Sequence, residues 1–339
     1  MIITGLFRGP TSPGVPIAAI PRDYGDLIAR YTISLSMHRP SYTWRLRSRE
    51  LELGSRTLVM GILNVTPDSF FDGGKFYSDG GKFLSHDHAV GHGLQMLKEG
   101  ADILDIGGES TRPGARVGEA GVSAEEELRR VVPVIEDILR ERPGTIISVD
   151  TYKAEVARKA VAAGAEIIND VSALRWDPAM LATVADLGCG AILMHSRGRP
   201  DEWRSQPPSP DIIAEVKSDL RSWSQSAVAA GIARDRILLD PGFGFGKSFE
   251  QNYPLLARLG ELHDLGFPLL SGTSRKSFIG RTLARDGKDA PPQERLHGTL
   301  AAIVASVLQG AHVVRVHDVS AAVEAVKVAD EILQGERKT

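Results

Sequence analysis

Eight short apolar runs alternate with eight longer segments of helical spacing, and this alternation constrains the fold more than any other feature of the chain. The apolar runs, which we interpret as strands, cover residues 58–63, 101–106, 145–149, 165–168, 191–194, 236–239, 268–270 and 312–316. The helical segments cover residues 86–99, 123–141, 153–163, 178–187, 211–230, 250–264, 292–309 and 320–333. Strands separated by helices pair in parallel, and eight such repeats over about 280 residues are typical of a (β/α)8 TIM barrel. A doubly wound open sheet is the alternative, but it would use fewer repeats.

The chain before the first of these strands differs in character. Residues 1–40 are rich in Pro, Gly and Ser and show no sustained period, which is typical of a weakly ordered extension. Residues 44–53 alternate between apolar and polar, which predicts a short hairpin that leads into the barrel. We therefore predict a weakly ordered N-terminal extension over residues 1–43 and a single barrel, with its hairpin, over residues 44–339.

Composition and net charge indicate which partners and which cellular compartment to expect. A formal net charge of -3 gives no global sign of a nucleic-acid or membrane partner, so any anion site must come from locally placed cations. The most apolar stretch, residues 299–314, is interrupted by Gln309, Gly310 and His312, which argues against a membrane span. The lone Cys189 excludes an internal disulfide framework and favours a reducing compartment. We expect a cytoplasmic protein with no nucleic-acid or membrane partner.

Polar residues follow almost every predicted strand. In a TIM barrel the active site lies where the strands end, at their carboxyl termini. The residues at these junctions are Asn64, Asp105 with Glu109, Asp150, Asn169 with Asp170, His195, Asp240, residues 271–276, and Arg315 with His317. Helix N-caps also favour such residues, so one of them would carry little weight, but their convergence from eight junctions predicts a site.

Several junctions have the composition of an anion site. The first loop, after Asn64, is long and Gly-rich, which is more often a functional lid than a connector. The second, residues 107–114, combines glycines with Thr111 and Arg112, a hydroxyl and a guanidinium suited to phosphate oxygens. In the eighth strand, alternation places Arg315 and His317 on one face. Together these residues predict a site for a phosphate-containing ligand.

Two further junctions carry weaker signals. Residues 240–247 are Gly-rich and end in Lys247, but they lack the spacing of a nucleotide-binding P-loop. Residues 271–277 place hydroxyls and two cations near a predicted helix start, where a carboxylate or phosphate would be stabilised. Helix capping and solvated charge are the alternative reading of the second segment.

The junction motifs, taken in order, resemble those of the dihydropteroate synthases, which are pterin-binding enzymes. The resemblance rests on residues 60–74, 101–114, 148–150, 167–174, 240–247, 272–280 and 315–319, and extends from about Val59 to the C-terminus. It implies a transferase of folate biosynthesis that condenses 6-hydroxymethyl-7,8-dihydropterin pyrophosphate with 4-aminobenzoate and releases pyrophosphate. It also implies a Mg²⁺ cofactor, a homodimer and a sulfonamide target.

The resemblance assigns roles to individual residues. The residues that it places against the pterin are Asp150, Asn169, Met194, Asp240, Phe245, Lys276 and Arg315. Those that it places on the pyrophosphate are Asn64, Thr111, Arg112, Arg315 and His317, with Asn64 also a ligand of Mg²⁺. Those that it places around 4-aminobenzoate are Phe70, Pro113 and Ser274. The residues that it makes catalytic are Asp72, Lys276, Arg315 and His317.

The roles of four residues and two alternative functions remain open at this point. Asp105 and Glu109 are either substrate ligands or structural hydrogen-bonding groups at the barrel mouth, and we favour the structural role. Ser196 and Thr273 depart from residues that the family often has there, and both adjoin the site. A pterin-binding methyltransferase of the same barrel family is one alternative, although it would need no pyrophosphate site. An inactive paralogue that serves as an interaction module is another, and the presence of both loops and all of the cations argues against it.

Overall fold

The computed structural model describes residues 39–66, 86–110 and 121–335. A hairpin of β1 (Tyr42–Arg45) and β2 (Glu50–Leu53) precedes eight further strands. These are β3 (Leu58–Asn64), β4 (Ile103–Gly107), β5 (Ile146–Asp150), β6 (Ile167–Asp170), β7 (Gly190–Met194), β8 (Ile237–Asp240), β9 (Leu270–Ser271) and β10 (Val313–Val316). The α-helices are α1 (His86–Glu99), α2 (Ala124–Glu141), α3 (Ala154–Ala162), α4 (Met180–Leu187), α5 (Ile212–Ala229), α6 (Phe249–Ala257), α7 (Ser277–Thr282), α8 (Leu296–Leu308) and α9 (Val319–Gly335).

The eight strands from β3 to β10 form a parallel barrel, which confirms the predicted TIM barrel. Their order is β8-β7-β6-β5-β4-β3-β10-β9. The circle closes between β8 and β9 through one isolated parallel bridge, Leu239 to Leu269, and a hydrogen bond of 2.9 Å from the Leu239 amide to the Pro268 carbonyl. Strands buried on both faces need continuous apolar sequence, and β7, for example, is apolar and buried at every position.

The core has two layers. One lies between the sheet and the surrounding helices, and the other fills the barrel interior. The hairpin belongs to the second layer, because Trp44 is fully buried against interior residues and its indole nitrogen donates to the Arg236 carbonyl at 2.9 Å. Leu46 packs where Gly190 has no side chain, since a Cβ there would approach Leu46 to 2.8 Å. The hairpin therefore closes the amino-terminal end of the barrel and leaves the other end for a site.

Three helix predictions needed correction. The predicted helix over residues 250–264 ends at Ala257 and is followed by a 3-10 segment, Leu259–Leu265. The helix predicted from residue 292 begins at Leu296, after a 3-10 turn over Pro292–Glu294. Helix α7 lies outside the eight predicted helical segments, because six residues are too few for their period to stand out, although a helix start was expected near residues 271–277. Most strands extend one or two residues further than predicted, so that Asn64, Asp150 and Asp240 lie at the last positions of their strands.

Buried contacts begin earlier in the chain than residue 44, where we placed the start of the barrel. The hairpin starts at Tyr42, and Arg39 is already 1% exposed. The Arg39 guanidinium lies 3.0 Å from the Asp330 carboxylate and donates to Gly54 and Thr57. Residues 1–38, which make up most of the predicted extension, lie outside the described residues. Within the described residues, no helix is both long enough and apolar enough to span a membrane.

Candidate active site

The carboxyl ends of the barrel strands surround a cavity of about 330 Å³. Many of the predicted site residues line it: Asn64, Asp150, Phe245, Ser274, Lys276, Arg315 and His317. Asn169, Met194 and Asp240 lie at neighbouring strand ends and are buried to 5% exposure or less. The structure thus brings the described part of the predicted site together at the expected end of the barrel.

Arg315 is the central cation of the site. Its Nε lies 2.6 Å from Asp105 Oδ2, and its Nη2 lies 2.8 Å from Asp150 Oδ2. Asn169 Nδ2 donates to the same Asp105 oxygen at 3.0 Å. Since Asp105 is fully buried and does not line the cavity, it orients Arg315 and Asn169, in keeping with the structural role that we favoured.

Burial shifts the proton affinities of the groups around Arg315. It raises the pKa of Asp150 to about 7, although the Arg315 charge acts in the opposite direction. It also raises the pKa of Asp240, which is partly offset by a hydrogen bond of 2.7 Å from the Gly242 amide. For Lys276, burial and then the Arg315 charge lower the pKa to about 7. Such shifts are typical of functional sites, because a ligand with matching polar groups relieves the cost of burial.

Two aromatic rings, those of Phe245 and Trp203, form a wall of the cavity beside Lys276. The Lys276 Nζ is 3.8 Å from the centroid of the Phe245 ring, close enough for a cation–π contact. The Trp203 ring meets Phe245 at 87° with centroids 5.0 Å apart, and Trp203 also lines the cavity. We did not predict Trp203 as a site residue. A tryptophan in the polar, Pro-rich segment after β7 was the available signal.

Ser274 and His317 also line the cavity. The His317 amide donates to Ser274 Oγ at 3.2 Å, and Ser274 Oγ lies 3.0 Å from His317 Nδ1. The Ser274 hydroxyl therefore contacts both the backbone and the ring of His317 and fixes the orientation of the imidazole. The Asn64 side chain makes no hydrogen bond to any other described residue, so its amide oxygen is available to a ligand.

The two cations predicted near residues 271–277 have separate roles. The Arg275 guanidinium pairs with Asp318 through contacts of 3.0 and 2.6 Å, and its backbone has a φ of +56°. Lys276 alone faces the aromatic wall. Asp318, 43 residues further along the chain, therefore neutralises Arg275, an ion pair that the sequence analysis did not predict.

Glu109 connects the two ends of the second loop. Its Oε1 accepts from the Val122 amide at 3.0 Å, and its Oε2 lies 2.6 Å from Lys153 Nζ. Lys153 also contacts the buried Glu127. Glu109 lines the cavity, but these contacts support the structural role that we favoured.

Five of the predicted residues lie outside the described residues. They are Phe70, Asp72, Thr111, Arg112 and Pro113.

Comparison with known proteins identifies the family. The family described as pterin binding enzyme matches residues 60–317. The dihydropteroate synthase of Escherichia coli K12 is 49% identical over 275 residues, which are 81% of this chain and 91% of that protein. The dihydropteroate synthase of Bacillus subtilis is 46% identical over 283 residues, which are 84% of this chain and 91% of that protein.

Solved structures of dihydropteroate synthases superimpose on this chain. The dihydropteroate synthase of Xanthomonas albilineans with 4-aminobenzoic acid superimposes with a TM-score of 0.76 at 47% identity, covering 86% of this chain and 98% of that one. The same enzyme with 7,8-dihydropteroate gives a TM-score of 0.72 at 45% identity over the same shares. The Yersinia pestis enzyme in a sulfonamide drug complex gives 0.76 at 44% identity, covering 86% and 99%. The chain therefore belongs to the dihydropteroate synthases of the pterin binding enzyme family.

Proposed function

We propose that the cavity at the carboxyl ends of β3 to β10 is where this dihydropteroate synthase joins 6-hydroxymethyl-7,8-dihydropterin pyrophosphate to 4-aminobenzoate. The observation that carries the proposal is the group of Asp150, Arg315 and Lys276, three half-buried charged residues that line one cavity at the barrel mouth, with Arg315 paired to Asp150 at 2.8 Å. Related enzymes have been solved with 4-aminobenzoic acid and with 7,8-dihydropteroate, the second substrate and the product of this reaction.

The pterin occupies the inner end of the cavity in this proposal. Its aminopyrimidine edge carries N–H donors that suit the carboxylates of Asp150 and Asp240 and the side-chain amide of Asn169. Its carbonyl and ring nitrogen suit the ammonium of Lys276. Asn169 and Asp240 are buried and Asp150 and Lys276 are half-buried, so a ligand that fails to pair with these groups leaves them unsatisfied at a cost of about 1–3 kcal/mol each, which gives selectivity. Met194, Phe245 and the guanidinium plane of Arg315 form the apolar walls.

The pyrophosphate lies towards Asn64, Arg315 and His317, with Thr111 and Arg112 as further predicted ligands. Ser274 orients the His317 ring, which lines the cavity and offers a ring nitrogen to a phosphate oxygen. In the reaction, the bond between the pterin methylene and the pyrophosphate oxygen breaks, and its electron pair leaves with pyrophosphate. The arylamine nitrogen then bonds to the methylene carbon and loses a proton. Catalysis rests on neutralising the leaving group and on positioning the amine.

The residues present fit a Mg²⁺ ion. The Asn64 side chain has no described protein partner, and an amide oxygen is the hard donor that Mg²⁺ takes together with substrate phosphate oxygens. When bound, the ion supplies positive charge to the leaving pyrophosphate. Arg315 and His317 act on the same charge from the protein side.

The 4-aminobenzoate site is the outermost part of the proposal. Ser274 lines the cavity beside His317 and supplies a hydroxyl to the substrate carboxylate. Phe70 and Pro113 are predicted to frame the ring, and Asp72 is predicted to stabilise the pterin cation.

A direct assay tests the function. Purified protein with pterin pyrophosphate, 4-aminobenzoate and Mg²⁺ should form dihydropteroate and pyrophosphate in equal amounts. Lys276→Met should weaken pterin binding by about 1–3 kcal/mol, or about 5- to 150-fold. Lys217→Met is the matched control, because Lys217 pairs with the exposed Asp264 on the outer surface. Folded wild-type protein that forms no product would favour the inactive-paralogue reading, and methyl transfer from methyl-tetrahydrofolate would favour the methyltransferase.

Assembly and location remain predictions. We propose a cytoplasmic homodimer that binds neither nucleic acid nor membrane. Burial raises the pKa of the Cys189 thiol to about 11, so it stays protonated and unreactive. Light scattering across a range of protein concentrations tests the dimer, and a mass of one chain throughout would contradict it.

A further inference from the structure

Lys247 ends the Gly-rich segment 240–247, whose function the motif alone left open. It is 7% exposed and does not line the cavity. Its Nζ donates to the Gly242 carbonyl at 2.7 Å and to His195 Nδ1 at 2.9 Å. The carbonyls of His195 and Phe245 lie 3.3 and 3.4 Å away. One buried ammonium thus contacts both the end of β7 and the loop after β8.

The loop after β8 has a backbone that turns back on itself. Gly242, Gly244 and Gly246 have φ values of +66°, +86° and +72°. A Cβ on Gly242 would lie 1.9 Å from the His195 carbonyl oxygen, so only glycine fits there. This conformation directs the Gly242 and Phe245 carbonyls towards Lys247. The Gly242 carbonyl also accepts from the Phe245 amide at 3.2 Å, and the Phe245 carbonyl also accepts from the Arg197 amide at 3.4 Å, so Lys247 adds side-chain hydrogen bonds to a loop that backbone hydrogen bonds already shape.

His195 completes the arrangement. Since Nδ1 accepts from Lys247, Nε2 carries the proton and donates to Asp219 at 3.2 Å. The ring is fully buried and stacks on Trp223 with centroids 5.2 Å apart. The His195 amide also donates to the Asp240 carbonyl at 2.8 Å. The His195 ring, which accepts the hydrogen bond from Lys247, is therefore held in place by Asp219, by Trp223 and by the backbone contact to Asp240.

The same loop carries two residues of the pterin site. Asp240 precedes the first glycine, and its carboxylate accepts from the Gly242 amide at 2.7 Å. Phe245 lies between the second and third glycines, with its ring 3.8 Å from Lys276 Nζ. The Lys247 contacts to Gly242 and Phe245 therefore act on the backbone next to both residues.

We propose that Lys247 is a positioning residue for the pterin: its ammonium fixes the loop 241–246 against the end of β7 and thereby sets the positions of Asp240 and Phe245. The effect reaches Lys276 through its contact with the Phe245 ring. This inference rests on the proposed pterin site. It gives the Gly-rich motif a function without any contact between its lysine and a phosphate.

Lys247→Met tests the proposal, because methionine has a similar length and removes the charge and every hydrogen bond. The KM for pterin pyrophosphate should rise at least tenfold, while kcat at saturating substrate changes less than threefold. The KM for 4-aminobenzoate, measured at saturating pterin, should stay unchanged. Amide hydrogen exchange over residues 241–247 should accelerate. Lys247→Gln, which keeps N–H donors on a shorter side chain, should give an intermediate KM.

Arg39→Met is the matched control. Arg39 is also a buried cation with several hydrogen bonds, but it contacts Gly54, Thr57 and Asp330, far in sequence from the loop. This variant should lower the melting temperature and leave both KM values unchanged. A shift in the pterin KM of Arg39→Met equal to that of Lys247→Met would show that general destabilisation explains both.

Two further results would overturn the proposal. The first is a wild-type pterin KM and wild-type exchange rates in Lys247→Met. The second is failure of both Lys247 variants to fold while Arg39→Met folds, which would make Lys247 a support of the whole fold. Calorimetry of pterin binding keeps the test separate from the proposed reaction, because it reports on the pocket even if wild-type protein forms no dihydropteroate.

Discussion

Arg315→Met should destabilise the protein by an amount that depends on pH. The Arg315 side chain is 20% exposed, and its partners Asp105 and Asp150 are 0% and 14% exposed. Removing one member of a buried ion pair typically costs about 3–5 kcal/mol, because the remaining charge has no partner. Protonation of Asp150 relieves part of that cost, so the loss should be smaller at acid pH.

The pH dependence follows from the pKa of Asp150. Folding raises this pKa from 3.8 to about 7, so the folded state binds a proton that the unfolded state releases, and stability falls as pH rises towards the folded pKa. Between pH 6 and 8, this group should cost the wild-type protein roughly 1 kcal/mol, since about half of the interval lies below the pKa. Without the Arg315 charge, which lowers it, the pKa of Asp150 should be higher and the cost over the same interval larger. The stability gap between wild type and variant should therefore widen with rising pH, by roughly 1 kcal/mol.

Urea unfolding at pH 6, 7 and 8 measures this gap, provided that the m values of wild type and variant agree. The control is the same comparison in an Asp150→Asn background, where the gap should depend less steeply on pH; the dependence that remains comes from Lys276, whose pKa Arg315 also lowers. A gap that is constant from pH 6 to pH 8 in the original background would refute the reasoning. It would mean that Arg315 does not determine the protonation of Asp150.

Three other outcomes follow from the structure. Because burial lowers the pKa of Lys276 to about 7, its ammonium is lost as pH rises through that value, and kcat/KM for the pterin substrate should decline on the alkaline side. Lys276→Arg, which stays charged, should shift that decline to higher pH, and superimposable pH profiles would contradict the assignment. Trp44→Ala should lose about 3–5 kcal/mol of stability in urea without changing either KM, and a changed KM would show that the hairpin affects the site. A chain that begins at Arg39 should keep the wild-type melting temperature, whereas a large drop would place residues 1–38 in the fold.

The repeating part of the fold was predictable from the sequence because each strand is a short apolar run that ends in a polar residue. Asn64, Asp150 and Asp240 mark three of these ends, and the structure places all three at the last position of a strand. The prediction failed where one element type changes into another without a change in hydrophobicity. Residues 250–264 keep helical spacing throughout, yet the α-helix ends at Ala257.

The sequence predicted which residues lie at the barrel mouth, but it did not predict which of their side chains contact each other. The junction motifs identified Arg315, Asp105 and Asp150 as residues of the barrel mouth. That Arg315 contacts both carboxylates depends on the closure of the barrel, which brings together residues 210 and 165 positions apart in the chain. The contact of Lys247 with His195 likewise depends on a loop conformation that requires glycine at three positions. Such partners are set by tertiary geometry, which no local pattern encodes.

The single bridge between β8 and β9 has a consequence for the mechanics of the pocket. Every other junction of the barrel has at least two paired residues, whereas this one has only Leu239 and Leu269. It is therefore the junction whose separation breaks the fewest backbone hydrogen bonds, and local opening of the barrel should begin there. Asp240 and Lys276 lie on opposite sides of it. A pterin that hydrogen-bonds to both Asp240 and Lys276 would connect β8 to the loop after β9. The substrate would thereby stabilise the junction with the fewest backbone hydrogen bonds and make its own pocket more rigid.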